Sequence, residues 1–67
     1  MKHGVMRAKV YQFICDFRKE HGYSPSYREI SEALGISLST VDHHVFYLAS
    51  DGKISYQYGK ARSIVVL

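Results

Sequence analysis

The chain has 67 residues, 46% of them hydrophobic and 22% charged, which excludes a disordered tail and leaves room for one small domain over residues 1–67. Nine Lys and Arg against six Asp and Glu give a net charge of +3, a balance that suits a polyanionic partner without requiring one.

The first predicted element is an amphipathic helix from about residue 5 to residue 21. Its apolar positions recur at steps of three and four residues: Met6, Val10, Phe13, Ile14 and Phe17. The single cysteine, Cys15, lies in this helix and is expected to be a buried or half-buried thiol. Gly22 can end the helix in a left-handed cap.

A second, short helix is predicted over residues 27–34. Ser26 and Glu29 have the spacing of a capping box at its start, and Gly35 ends it. Its inner face is expected to carry Tyr27, Ile30, Ala33 and Leu34, with Arg28, Glu29, Ser31 and Glu32 outside. Ser37, the next N-cap candidate, follows closely, and two helices joined so tightly form a helix-turn-helix.

The third helix is predicted from residue 38 to about residue 50. Val41, Val45 and Leu48 form its inward stripe at i, i+4 and i+7. At about 100° per residue, the outward positions are Ser39, His43, Phe46 and Ser50, with Thr40 and Tyr47 to one side and Asp42 to the other. This outward face is the one that a ligand would meet.

After Gly52 the pattern changes to period two, which predicts a β-hairpin. We expect one strand over residues 53–57, a turn over 58–61 and a return strand over 62–67. An isolated hairpin is marginal in water, so Ile54, Ile64 and Val66 are expected to pack against the helices. A short extended segment near Ser24 and Pro25 is the candidate for a third strand.

Several motifs together carry a family resemblance. They are Phe13-Ile14, Gly22-Tyr23-Ser24-Pro25-Ser26, Arg28-Glu29-Ile30, Leu34-Gly35, Ser39-Thr40-Val41, His44, Leu48, Gly52 to Ile54, and Arg62. In these motifs the chain resembles the N-terminal DNA-binding domain of the LexA repressor family. The resemblance implies a mostly α fold with a small β-hairpin, a winged helix-turn-helix of three helices plus a C-terminal wing.

The function that the resemblance implies is sequence-specific binding of double-stranded DNA in transcriptional control, most readily as a repressor. The third helix would then read the major groove. Leu38 departs from the family, in which proline is common at that point, and the turn before the third helix is one residue shorter. The family's self-cleaving peptidase half has no counterpart in these residues, so the resemblance carries no enzymatic activity.

The start of the third helix is predicted to contact DNA bases. The resemblance assigns that role to Ser39, Thr40, Asp42 and His43. Hydroxyl and imidazole groups can bond to base edges, and a carboxylate can accept from a cytosine amino group. Ser37 is assigned to a phosphate, with helix capping as an equal alternative; Ser39 and Asp42 also have capping-box spacing.

The third helix contains no Lys or Arg, so positive charge must come from other elements. The further phosphate contacts predicted are Arg28, Tyr47, Lys53, Lys60 and Arg62. For any one of these cations the alternative is a solvated surface charge. Arg7 and Lys9 add positive charge to the first helix.

A second hypothesis is a winged-helix module that binds another protein, for example an accessory protein of a phage or mobile element. Four aromatic residues can line one exposed patch on helix three and the wing: Phe46, Tyr47, Tyr56 and Tyr58. Phe46 and Tyr58 are the candidate protein contacts, and core packing is the alternative for Tyr56. We also expect a monomer in dilute solution that pairs weakly on DNA.

Neither residue pattern nor hydropathy predicts an enzyme, a metal, a cofactor or a small-molecule substrate. His43 and His44 are adjacent on a helix and point about 100° apart, so they cannot share an ion. No apolar run approaches the roughly 18 residues of a membrane span, and no signal peptide opens the chain. With its single cysteine, the chain is expected to be soluble and cytoplasmic, with no membrane partner.

Overall fold

The computed structural model describes the backbone of residues 2–67 and the side chains of residues 4–67. Its elements are α1 (Lys2–His21), α2 (Tyr27–Leu34), α3 (Leu38–Ser50), β1 (Ile54–Ser55) and β2 (Val65–Val66). The two strands form an antiparallel pair that follows the three helices. This order confirms the predicted winged helix-turn-helix, with α2 and α3 at their predicted bounds and α1 beginning earlier than residue 5.

The core lies where the three helices and the hairpin meet. Its fully buried apolar residues are Val10, Ile14, Ile30, Val41, Val45, Leu48, Ile54 and Ile64. These include the inward stripe predicted for α3 and two of the three hairpin residues expected to pack on the helices. The third, Val66, is half-buried against the same core, which confirms its predicted packing. Tyr56 is half-buried there too, so the core-packing alternative holds for it and not the exposed patch.

Local capping sets the bounds of α2 and the turn after it. The Ser26 hydroxyl accepts from the Glu29 N–H at 3.1 Å, and the Ser26 N–H donates to the Glu29 carboxylate at 2.8 Å. Gly35 ends the helix in the left-handed region, at φ +67, where a side chain would be strained. The N–H groups of Gly35 and Ile36 both donate to the Ser31 carbonyl, so the turn into α3 is hydrogen-bonded.

Three positions on α2 differ from the helical-wheel prediction, and one of them is Glu29, which was expected outside and is half-buried. Ala33, expected inside, is exposed, and Ser31, expected outside, is half-buried. The Ser31 hydroxyl donates to the Ile36 carbonyl, which explains why it turns toward the chain that follows. The buried stripe of α2 is therefore centred on Ile30, with Tyr27 and Leu34 at its edges.

The hairpin is shorter than predicted. Only Ile54 pairs with Val66 and Ser55 with Val65, and the chain between them forms turns. Arg62, predicted as the start of the return strand, has φ +56, a left-handed conformation that no extended strand contains. Ser63 closes this loop with its side chain, which bonds to the N–H and the carbonyl of Gln57.

The predicted third strand near Ser24 and Pro25 is absent from the described residues, where the only strand pairing is β1 with β2. Both residues are buried, but their link to the hairpin runs through side chains. The Ser24 hydroxyl donates to the Ile64 carbonyl, and Arg18 donates to both of those oxygens, at 2.6 and 3.1 Å. Because these donors satisfy the Ile64 carbonyl, no backbone ladder is needed there.

Candidate nucleic-acid interface

Three hydroxyl groups gather at the first turn of α3. Ser37 is the N-cap, and its hydroxyl accepts from the Thr40 N–H at 3.2 Å. The same oxygen lies 2.9 Å from the Thr40 hydroxyl and 3.2 Å from the Ser39 hydroxyl. The capping alternative for Ser37 is thus confirmed, whereas Ser39 lies inside the helix and is not its cap. The cluster stands at the positive end of the helix dipole, which favours an anion.

The predicted base contacts share one exposed surface. Ser39, Asp42 and His43 are exposed, and Thr40 is half-buried beside them. The ring of His43 stacks on Tyr47, with centroids 5.7 Å apart and the planes at 25°. His44, about 100° further around the helix, is buried. The surface presents short polar groups that can both donate and accept.

Arg7 of α1 lies against this surface, although the sequence did not mark it as a site residue. Its guanidinium carbon is 4.5 Å from the centroid of the Tyr47 ring, a cation–π distance. Arg7, Thr40, His43, His44 and Tyr47 line a pocket of about 380 Å³. The sequence could not indicate this contact, because it depends on how α1 packs against α3 and spacing along the chain does not report that packing.

The other predicted phosphate contacts lie on several elements. Arg28 is exposed in the first turn of α2, Lys60 is exposed in the hairpin loop, and Lys53 is exposed just before β1. The Lys53 ammonium nitrogen lies 5.6 Å from the centroid of the Tyr11 ring. These cations are available to solvent and to an anion, and their contact with phosphate stays a prediction.

Arg62 has partners within the chain. Its two terminal nitrogens donate to the two Glu29 carboxylate oxygens at 2.9 and 3.1 Å, and one of them also donates to the Ser24 carbonyl at 3.0 Å. Its guanidinium carbon lies 4.9 Å from the centroid of the Tyr23 ring. The hydrogen bonds from Arg62 and from the Ser26 backbone hold the pKa of Glu29 below its usual range. Arg62 therefore ties the wing to the start of α2, a role that its residue type did not indicate.

The four aromatic residues predicted as one patch do not form a single ring cluster. Phe46 and Tyr47 meet edge to face, with centroids 5.4 Å apart, and are 53% and 42% exposed. Tyr58 is 88% exposed and lies in the turn between β1 and β2. Burial, with smaller contributions from Asp42, Tyr56 and Tyr58, raises the pKa of Tyr27 to about 12. No ring contact among the described side chains joins Phe46 or Tyr47 to Tyr56 or Tyr58.

Within the described part of the chain, no group of three or more His, Cys, Asp or Glu side chains is placed to hold a metal ion. Cys15 is half-buried, as predicted. Among the same residues, no helix combines the length and the apolar character needed to cross a membrane.

Comparison with known proteins identifies relatives over nearly the whole chain. The family model for the LexA DNA binding domain matches residues 5–63. The chain is 48% identical to the LexA repressor of Koribacter versatilis over 60 residues, which are 88% of this chain and 29% of that protein. It is 43% identical to the LexA repressor of Listeria welshimeri and 40% identical to that of Syntrophomonas wolfei. Each of these two matches covers 100% of the chain and 33% of the relative. The chain thus spans about a third of the length of these relatives.

Proposed function

The chain belongs to the LexA DNA-binding domain family, and on this basis we propose that it binds double-stranded DNA in a sequence-specific way and represses transcription by occupying an operator. The observation that carries the proposal is the exposed surface of α3. Short polar side chains there stand clear of the core on a helix that follows a tight, capped turn. A helix of this kind fits the major groove with its N-terminal residues against base edges.

Ser39, Thr40, Asp42 and His43 are the proposed base contacts. The proposed phosphate contacts are Ser37, Arg28, Tyr47, Lys53, Lys60 and Arg62. All of these residues except the half-buried Thr40 are exposed, which supports their availability to DNA. Arg62 is the weakest member because Glu29 and Ser24 already occupy its terminal nitrogens. Phosphate contacts fix the register of a protein on the duplex, and base contacts supply the specificity.

One recognition helix makes few base contacts, so we also propose that two copies bind related half-sites about one helical turn apart. The exposed aromatic side chain of Phe46 favours a second candidate function, docking on another protein. In that case α3 and the wing would serve as a protein interface.

Selection of bound sequences from a random duplex pool tests the proposal. The 67-residue chain should enrich a motif, with two related halves spaced near one helical turn. Anisotropy should then give tighter binding to the enriched duplex than to a scrambled one of equal length and salt. No enrichment, together with no duplex binding at low salt, would reject DNA binding and leave the protein-interaction module.

A further inference from the structure

We propose that Arg7 of α1 binds a phosphate of the DNA backbone and supplies the recognition surface with the cation that α3 itself lacks. This inference rests on the proposed function, since it assigns a further contact to the same surface. α3 contains no Lys or Arg, yet Arg7 reaches the stripe formed by Thr40, His43 and Tyr47.

Arg7 has no carboxylate partner among the described residues, so its positive charge is available to an external anion. Its Nε is buried, and within the described residues it has no hydrogen-bond partner. The ion pairs of the described residues join His21 to Glu20 and Arg62 to Glu29, and neither involves Arg7. Since Nε is buried, an incoming phosphate would bond to the terminal nitrogens of the Arg7 guanidinium. Arg18 and Arg62, in contrast, are bonded to oxygens of the chain.

The position of Arg7 along α3 favours a phosphate over a base. Its guanidinium carbon lies over the ring of Tyr47, in the C-terminal half of the helix, and Arg7 lines a pocket that extends along α3 to Thr40. The N-terminal residues of a recognition helix contact bases, while the later turns approach the rim of the groove, where the backbone runs. The contact with the ring also limits the motion of the guanidinium, whose planar fork of donors matches two phosphate oxygens.

The test compares Arg7→Gln with a matched control, Lys9→Gln. Lys9 lies two residues further along α1, is exposed, and loses the same unit of charge. Duplex binding is measured by anisotropy at several salt concentrations, on the selected sequence and on a scrambled one. Loss of one phosphate contact lowers the slope of log affinity against log salt by about 0.9. Between 50 and 200 mM salt, the parent should therefore lose about 3.5-fold more affinity than Arg7→Gln.

The outcomes separate this inference from the proposed function. Arg7→Gln should weaken both duplexes equally and flatten the slope, whereas Lys9→Gln should keep the parental slope. A parental slope in Arg7→Gln, or a loss confined to the selected sequence, overturns the phosphate assignment while DNA binding stands. A parent that binds neither duplex overturns the proposed function itself. If Arg7→Gln does not fold, the Nε–H resonance of Arg7 in the parent decides: it should shift on adding duplex, and an unmoved signal overturns the inference.

Discussion

Ser37 offers the sharpest test of how α3 meets DNA, because one side chain is the helix cap and the proposed phosphate contact. In Ser37→Ala the Thr40 N–H loses its acceptor at 3.2 Å. N-cap replacements of this kind cost about 0.5–2 kcal/mol, and the long, exposed bond puts Ser37 in the lower half of that range. A domain of this size melts about 4–8 °C lower per kcal/mol, so Ser37→Ala should lower Tm by several degrees.

Ser37→Asp separates the two roles. Aspartate caps helices as well as serine does, and its charge suits the positive end of the helix, so the melting temperature should be kept. On DNA, however, the new carboxylate would face a phosphate. For unit charges about 6 Å apart and an effective dielectric constant between about 80 and 20, the repulsion is about 0.7–3 kcal/mol, or roughly 3- to 100-fold in affinity.

Thermal melts by circular dichroism and duplex anisotropy at fixed salt measure the two effects. The control is Ala33→Asp, which places the same charge on an exposed residue in the last turn of α2 to which no DNA contact is assigned. Ser37→Asp should bind more weakly than this control. If the two bind alike, the first turn of α3 is not beside a phosphate, and if Ser37→Ala melts like the parent, the cap contributes nothing.

Three further predictions concern the wing and the base contacts. Arg62→Ala should lower Tm and weaken binding to every sequence because it breaks the bonds that tie the wing to α2. Lys60→Ala should keep Tm and only flatten the salt slope by about one counterion; equal melting curves for the two would refute this role of Arg62. Because hydrogen bonds from Arg62 lower the pKa of Glu29, the pair stabilises fully above pH 4.5 and is lost as pH falls through the lower folded value. Glu29→Gln should accordingly melt below the parent at pH 7, with the gap closing in acid, and a constant gap would contradict this. Thr40→Ala and His43→Ala should reduce discrimination between the selected and scrambled duplexes by about 1–3 kcal/mol if a bidentate contact is lost; an equal loss on both duplexes would reassign these residues to phosphate.

The helix-turn-helix was predictable because its signals are local. Ser26 with Glu29, Gly35 and Ser37 each satisfy a hydrogen bond or a dihedral angle within a few residues, so their types and spacing determine the bounds of α2 and α3. The burial of Ala33 was predicted wrongly because that prediction also used local spacing alone. A helical wheel gives the direction of the buried stripe but not its width, which depends on the neighbouring helices.

The wing and the surface around Arg7 depend on contacts between distant segments. Arginine is not a residue type that marks a left-handed conformation, so its alternating neighbours suggested a longer strand than the chain forms at Arg62. The Arg62–Glu29 pair spans 33 residues, and the Arg18–Ile64 bond spans 46. No pattern in the sequence reports such pairs, since each partner alone has the character of an ordinary surface or loop residue.

Because α3 contains no Lys or Arg, different elements supply affinity for DNA and specificity for its sequence. If the cations come from Arg7 of α1, from α2 and from the wing, the charge that attracts the duplex is fixed by the scaffold. The neutral hydroxyls and the imidazole on α3 are then short side chains whose replacement changes which bases are favoured but removes no counterion-releasing contact. Substitutions of these neutral side chains should therefore alter the preferred sequence at nearly constant salt dependence, since the cations that set the salt dependence lie on other elements.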